Sequence, residues 1–461
     1  MDVIIGSTIS VKDPSRELLQ WANKHLTLIN PDYVKKMRMG LWTGNTPQMI
    51  SLFERHGDTL ILPFGTLNQV YPLIRNETIT DAFPPVRSVD YGKDTVPLYN
   101  YQIEAVDKMY VSRYGILQSA AGSGKTQMGI ALIQRFQRTA LWLTHTADLL
   151  QQSLERAKRY IDPSLLGTIT AGKVNIGRGI TFATVQTMCK LDLERYSNLW
   201  DVVIVDECHH VSGSPTTVTQ FYRVLNHLNA RHKYGLSATV HRADGLIQAT
   251  YAMLGDVKHV VPDEAVEDKI MKVGILPCCT NTPLSEDCLN PDGTLNYTSM
   301  INYLCENEER NHMLVTDICG EQDHPCLILS DRLEHLETLM YSLPPALQMQ
   351  AVMVTGKMTS KTDRAKREAA IEAMRKGEKN FLFATYALAK EGLDIPRLER
   401  LFMATPVKDE AVVIQSVGRI ARTCEGKQFP IVYDYVDNIR FCQRAYRERV
   451  KHYKKIGAKF V

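Results

Sequence analysis

From about residue 95 the chain alternates short, wholly apolar runs with longer amphipathic stretches. Residues 115–118, 139–144, 179–183, 202–205 and 233–237 form a first series of such runs. After a break, residues 326–329, 351–354, 381–384, 400–403 and 431–433 form a second. A strand that is apolar on both faces must be covered on both faces, which is the condition of a parallel sheet with helical crossovers. Two successive series therefore predict an α/β protein with two tandem parallel-sheet domains. Residues 1–90 lack this rhythm. Their mixed pattern, with Lys35-Lys36-Met-Arg38 and Gly40-Leu-Trp42, suggests a small α+β module in front of the first sheet. The tract from Pro84 and Pro85 to Pro97 reads as the linker between them. Between the two series, residues 276–297 are rich in turn formers (Pro277, Asn281, Pro283, Asn290-Pro-Asp-Gly293) and predict either an inter-domain loop or an inserted hairpin.

Composition narrows the class. The 461 residues are 44% hydrophobic and 23% charged, with 54 basic against 51 acidic side chains, which excludes disordered and collagenous chains. No run of about 18 apolar residues predicts a membrane span, and the first residues lack a basic segment followed by an apolar one. A cytoplasmic protein without a membrane partner is the expectation. The ten cysteines contain no Cys-x-x-Cys pair, so reduced thiols are expected rather than a zinc site, and Cys278, Cys279 and Cys288 match no usual ligand spacing. Net charge is only +3, yet residues 440–461 carry eight Lys and Arg against Glu448, with Phe441, Tyr446 and Tyr453 interleaved. Either a nucleic-acid contact or a solvated helix docked by its aromatic residues satisfies that pattern.

The strongest chemical signal is Ser119-Ala120-Ala121-Gly122-Ser123-Gly124-Lys125-Thr126, set between a predicted strand and a predicted helix. That context suits a phosphate loop, because backbone N–H groups and a helix N-terminus must point at the phosphates. Lys125 then reaches the β- and γ-phosphates of ATP and Thr126 ligates Mg²⁺; Ser119 stands where the strict pattern has glycine. The second signal is Asp206-Glu207 at the end of the apolar run 202–205, where buried acids are costly unless they serve a cation. Asp206 suits a water-mediated Mg²⁺ contact and Glu207 the base that activates the attacking water.

Together with these, an ordered set of motifs over residues 98–437 resembles the superfamily 2 helicases and translocases. Leu98-Tyr-Asn-Tyr-Gln102 resembles the adenine-side signature, with Tyr99 in place of arginine. Leu143-Thr144-His145-Thr146 and Thr184-Val-Gln186-Thr187 resemble the strand-end motifs that grip a nucleic-acid backbone. Ser237-Ala238-Thr239 resembles the motif coupling hydrolysis to movement. In the second series Ser330-Asp-Arg332, Thr355-Gly356, Thr385, Glu391-Gly392-Leu-Asp394 and Gln415-Ser-Val-Gly418-Arg419-Ile-Ala-Arg422 resemble the remaining motifs. The resemblance implies two RecA-like motor domains that bind ATP and Mg²⁺. Gln102, Gly392 and Asp394 join the phosphate loop in the nucleotide site, and Gln415, Arg419 and Arg422 act with Lys125, Asp206 and Glu207 in hydrolysis. Arg419 and Arg422 lie some three hundred residues beyond the loop, so they reach a nucleotide only if the two domains close on it. Guanidinium groups supplied in this way accelerate phosphoryl transfer ~10³–10⁵-fold in other enzymes. Thr144, His145, Thr184, Gln186, Arg332, Thr355, Gly356 and Thr385 are the implied backbone contacts, with weak sequence preference and strong salt dependence.

Ser237-Ala-Thr-Val-His-Arg242, Glu391-Gly-Leu-Asp-Ile-Pro396 and Val432-Tyr-Asp-Tyr-Val-Asp437 resemble the DNA helicase branch with XPB-like and UvsW-like phage members. The resemblance implies a motor, expected to be monomeric, acting on duplex, forked or branched DNA in recombination, repair or replication. A duplex translocase that does not separate strands and an RNA helicase are the alternatives. Lys35, Lys36, Arg38 and Trp42 are the candidate DNA contacts of the N-terminal module, a basic cluster beside an aromatic ring suiting backbone contact plus stacking. The expected organisation is residues 1–90 accessory, 91–262 first motor domain, 263–440 second motor domain and 441–461 a basic C-terminal helix.

Overall fold

The computed structural model describes the chain except residues 94, 121, 171, 213, 239–245, 263, 266–270, 356–360, 392 and 394, with backbone alone at 361, 362, 364, 390 and 391. The chain divides into two compact units: Met1–Ala120 with Gly124–Pro262, and Asp263–Val461 with Ala121–Ser123.

In the first unit five parallel strands run in the order Ile180–Thr184, Ala140–Thr144, Val202–Asp206, His232–Ser237, Tyr114–Gln118. Counted along the chain this is 3-2-4-5-1, a doubly wound RecA-like sheet. Leu166–Thr170 and Val257–Val260 extend it in parallel, and Lys173–Asn175 closes one edge antiparallel. The apolar runs are what this burial requires: Val202, Val203, Ile204 and Val205 are all fully buried. Helix Lys125–Phe136 packs close to the sheet because residue 129 is glycine; a Cβ there would lie 2.7 Å from the Trp142 ring. Other helices begin on caps written in the sequence. The side chain of Thr146 accepts from the Leu149 N–H, and that of Ser214, just before Pro215, from Thr217. The strand order sets the carboxyl ends of Tyr114–Gln118, His232–Ser237 and Val202–Asp206 side by side, where ligands of such sheets gather.

Residues 1–90 do form an α+β arrangement. Five strands order as Glu54–His56, Thr59–Pro63, Thr8–Lys12, Asp2–Ile5, Thr78–Asp81, with only the last pair parallel. Their core is continuous with that of the motor sheet: Val3, Leu60, Phe64 and Ile74 join Leu143, Val203, Phe221 and Leu254 in one apolar cluster. Buried Lys233 fastens the two parts, donating from Nζ to the carbonyls of Ser7 (2.9 Å) and Leu225 (2.8 Å). The Pro84–Pro97 tract is tied down as well. The Arg87 N–H donates to Asp201 at 2.9 Å and the Tyr91 hydroxyl to the Arg138 carbonyl at 2.9 Å.

The second unit is a parallel sheet ordered Ala351–Val354, Phe381–Thr385, Cys326–Ser330, Arg400–Met403, Ile431–Val436, Gly274–Cys279, Lys459–Phe460. Residues 276–279 thus belong to a sheet strand. Beyond them a single bridge, Leu289 to Leu295, brackets the turn at Asn290–Gly293, so the inserted hairpin is reduced to one pairing. The terminal helix Arg440–Lys455 is part of this unit. It buries Cys442, Ala445, Arg449 and Tyr453, and Arg449 donates Nε and Nη2 to the buried Asp434 carboxylate at 3.0 and 2.7 Å. The docked reading of this segment therefore holds for Arg449 and Tyr453, while Arg444, Arg447, Lys451 and Lys454 face solvent. All ten cysteines are free. Among the described residues no group of three or more His, Cys, Asp or Glu could hold a metal ion, and no helix is long and apolar enough to cross a membrane.

Candidate functional site: a phosphate loop beside two acids

Strand Tyr114–Gln118 ends in the loop 119–124, and helix Lys125–Phe136 begins directly after it. Gly122 and Gly124 take φ of +86° and +84°, a region that costs a side-chain-bearing residue about 1–2 kcal/mol. Gly124 is needed twice over, since a Cβ there would sit 2.4 Å from Nε2 of Gln102. Gln102, 2% exposed in the first turn of helix Asn100–Val111, accepts the Tyr99 N–H at 2.9 Å and so lies against the loop. The Ser119 N–H donates to the Ser237 carbonyl at 3.0 Å, tying the loop to the neighbouring strand end.

Lys125 is 8% exposed, and its Nζ donates to the carbonyls of Ser119 (3.3 Å) and Ala120 (3.4 Å). It also stands 3.6 Å from Glu207 Oε1. Asp206 ends strand Val202–Asp206; its Oδ1 accepts the Glu207 N–H at 3.0 Å and its Oδ2 the Ser153 hydroxyl at 3.1 Å. Burial, and after it the neighbouring Glu207 carboxylate, push Asp206 up to about 6. Burial alone would raise Glu207 too, but Lys125 and then His209 and His210 outweigh it and hold Glu207 below the usual carboxylate range. Glu207 has φ +46°, strain of order 1–3 kcal/mol that turns its side chain out of the strand course.

The donor set fits Mg²⁺ and a triphosphate. Thr126 and Asp206 offer hard oxygens, and one carboxylate with one hydroxyl is the sparse protein share that Mg²⁺ takes when phosphates supply other ligands. When bound, the cation would neutralise charge on the phosphates. Glu207 Oε2 is buried with the His209 imidazole 3.3 Å away, and a carboxylate in that place suits the acceptor of a water proton.

Behind Glu207 a chain of contacts leaves the site. His209 Nδ1 lies 3.3 Å from Glu207 Oε2 and 3.0 Å from Ser237 Oγ. The His210 ring is 4.2 Å from that of His209 and stacks on His145 at 4.9 Å, and His145 Nδ1 is 3.1 Å from Gln186 Nε2. His145 and Gln186, both expected nucleic-acid contacts, are thus brought together. Thr144 and Thr184 are buried, at 0% and 6% exposure, with their hydroxyls bonded to the Thr146 carbonyl and Thr187 Oγ1. Ser237 and Ala238 sit at the strand end as expected, while Ala121, Thr239, Gly356, Gly392 and Asp394 lie outside the described residues.

In the second unit Gln415 is 8% exposed and its Oε1 is unpartnered among the described residues. Arg419 donates to the carbonyls of Ala389 (2.8 Å) and Leu393 (3.2 Å). Arg332 Nε donates to Asn302 Oδ1 at 3.0 Å, and Thr355 and Thr385 are half-buried near strand ends. In the N-terminal part Lys35 and Arg38 are exposed, Lys36 donates to Thr46 at 2.6 Å, and Trp42 is 87% exposed. Sequence reasoning missed Ser153, His209 and His210. The paired histidines directly after Cys208 were a visible signal; Ser153, on a helix between motifs, gave none.

The family described as "Type III restriction enzyme, res subunit" matches residues 95–242, and "Helicase conserved C-terminal domain" matches residues 309–424. A protein of Acanthamoeba polyphaga mimivirus named as an ATP-dependent RNA helicase is 26% identical over 327 residues, covering 70% of this chain; the chain spans only 60% of that relative. The DNA 3'-5' translocase XPB2 of Sulfurisphaera tokodaii is 23% identical over 361 residues, covering 72% of this chain and 80% of the relative. Dbp5 of S. cerevisiae, solved bound to RNA and ADP BeF3, shares the fold with a TM-score of 0.58 at 16% identity, covering 87% of this chain and 94% of that one. The chain thus carries the restriction-enzyme res-subunit domain in its first unit and the helicase conserved C-terminal domain in its second, in that order, and its relatives are helicases and translocases.

Proposed function

We propose that this chain is an ATP-driven DNA motor that translocates on, and unwinds or branch-migrates, duplex or branched DNA. The observation that carries the reading is the contact chain from Glu207 through His209 and His210 to His145 and Gln186. It links the hydrolytic carboxylate to strand ends expected to hold a nucleic-acid backbone, so occupancy at one end bears on geometry at the other. A phosphate that draws Lys125 away from Glu207 removes the charge that depresses this carboxylate and makes it a stronger base. Arg422 supplies transition-state charge from the second unit, Gln415 a neutral amide beside it, and Arg419 acts in hydrolysis while holding the carbonyls of Ala389 and Leu393. Lys35, Lys36, Arg38 and Trp42 meet DNA through backbone charge and stacking; helix Pro31–Arg38 buries none of its residues, Met37 is exposed on it, and Met39 and Leu41 are exposed just after it. DNA is favoured because the alignment with the archaeal DNA translocase spans most of both chains. The name of the mimiviral relative favours RNA as the second reading.

Steady-state ATP hydrolysis measured without polymer and with single-stranded DNA, duplex, a four-way junction and RNA tests the reading, with Lys125→Ala as blank. Greatest stimulation by duplex or junction is expected. Stimulation by RNA alone would overturn the DNA assignment, and a strand-displacement assay separates unwinding from translocation without strand separation.

A further inference from the structure

The first unit gathers three arginines at the opposite end of the sheet from Lys125. A cavity of about 370 Å³ is lined by Tyr110, Arg113, Arg138, Arg231, His232 and Asp81, with Val86 and Val111 at its rim. Arg113, Arg138 and Arg231 immediately precede or lie just before strands Tyr114–Gln118, Ala140–Thr144 and His232–Ser237. The phosphate loop follows the first of these strands, so a strand of five residues, roughly 16 Å, separates the two sites.

Two guanidinium groups, those of Arg113 and Arg231, meet a single carboxylate here, and a third, that of Arg138, lines the same cavity. Arg113 and Arg231 each reach Asp81 Oδ2 only at 3.8 Å, beyond hydrogen-bond range. Both lie over the Phe83 ring, with Cζ 4.6 and 5.3 Å from its centroid, which fixes them. Arg231 spends Nη2 on the Pro84 carbonyl at 3.0 Å, while its Nε is buried without a partner among the described residues. The contact found for the Arg138 guanidinium is to His232 Nε2, at 3.4 Å. His232 adds no further positive charge, since burial and then Arg138 push it down to about 4. Converging like charges with unfilled donors are costly unless an anion joins them, and planar guanidinium forks match phosphate oxygens in particular. The volume is within the range of small-ligand sites.

We propose that this pocket binds a phosphate-bearing anion, with Arg138 and Arg231 as its principal donors and Tyr110 and Val111 flanking the group attached to the phosphate. The source is either a free phosphate compound or a backbone phosphate of a polynucleotide passing behind the first motor sheet.

The test uses the full chain carrying Lys125→Ala, so that the motor site contributes little, titrated by calorimetry with pyrophosphate and separately with a single-stranded oligodeoxynucleotide lacking a terminal phosphate. Pyrophosphate is expected to bind, with affinity reduced about tenfold or more by Arg138→Ala, the loss of a charge-assisted hydrogen bond. Val111→Glu, at a position 81% exposed where folding is not at stake, should weaken it similarly by placing an anion at the mouth. If oligonucleotide affinity falls with the same two substitutions, the phosphate belongs to a polynucleotide; if only pyrophosphate is affected, it is a free compound. Absence of pyrophosphate binding, or equal binding by Arg138→Ala and Val111→Glu, would overturn the proposal.

Discussion

His209 Nδ1 lies 3.0 Å from the Ser237 hydroxyl and 3.3 Å from the Glu207 carboxylate, so one imidazole joins the acid proposed as the base to the strand end at Ser237. Removing it should separate hydrolysis from its stimulus. In His209→Ala, ATP affinity should stay within about twofold, while stimulation by nucleic acid falls by roughly tenfold, the worth of a buried hydrogen bond. Hydrolysis rates with and without polymer check this; an unchanged stimulation ratio would remove His209 from the coupling path.

Gly124 is held at φ +84° with Gln102 Nε2 against its α-carbon. Gly124→Ala should displace either the helix start or Gln102, at about 1–2 kcal/mol of backbone strain alone. Nucleotide affinity should fall well beyond what stability does, as equilibrium binding of a fluorescent ATP analogue beside thermal unfolding would reveal.

In the second unit Arg449 and Asp434 form a buried pair, and Tyr453 adds a hydroxyl at 2.8 Å. Arg449→Ala leaves that carboxylate uncompensated and should cost about 3–5 kcal/mol in urea unfolding. Exposed Arg444→Ala on the same helix should change stability by no more than about 0.5 kcal/mol. Equal effects would mean that the helix is held by its surface charges.

His335 is buried between Ser330 Oγ at 3.0 Å and Asn311 Oδ1 at 2.9 Å, and burial, with Arg310 nearby, pushes it down to about 3. Its folded state keeps the ring neutral while the unfolded chain protonates it from about 6.5 downward, so stability is lost as pH falls from about 6.5 toward 3. Urea midpoints across that range should decline for the native sequence, and His335→Gln should lose less over the same interval.

The parallel sheets were legible because strands such as Val202–Asp206 are buried throughout and apolar at each position before the terminal acid. The phosphate loop was legible because its chemistry is local: Gly122, Gly124 and Lys125 lie within four residues of one another. What escaped depends on residues distant in sequence. Lys233 reads as an ordinary charge within a strand, yet it is buried because Ser7 and Leu225 bring it carbonyls. The local bonds of Thr144 and Thr184, to the Thr146 carbonyl and Thr187 Oγ1, likewise needed the folded chain. The pocket of Arg113, Arg138 and Arg231 gathers three isolated arginines that only the strand order places together.

The account rests on Glu207 as the acceptor of the attacking water's proton, and Glu207→Gln tests that most directly. Single-turnover phosphate release with saturating ATP and duplex DNA should fall by about 10²–10⁴-fold, the usual worth of a general base, while ATP binding is retained. Near-normal turnover in Glu207→Gln would contradict the assignment.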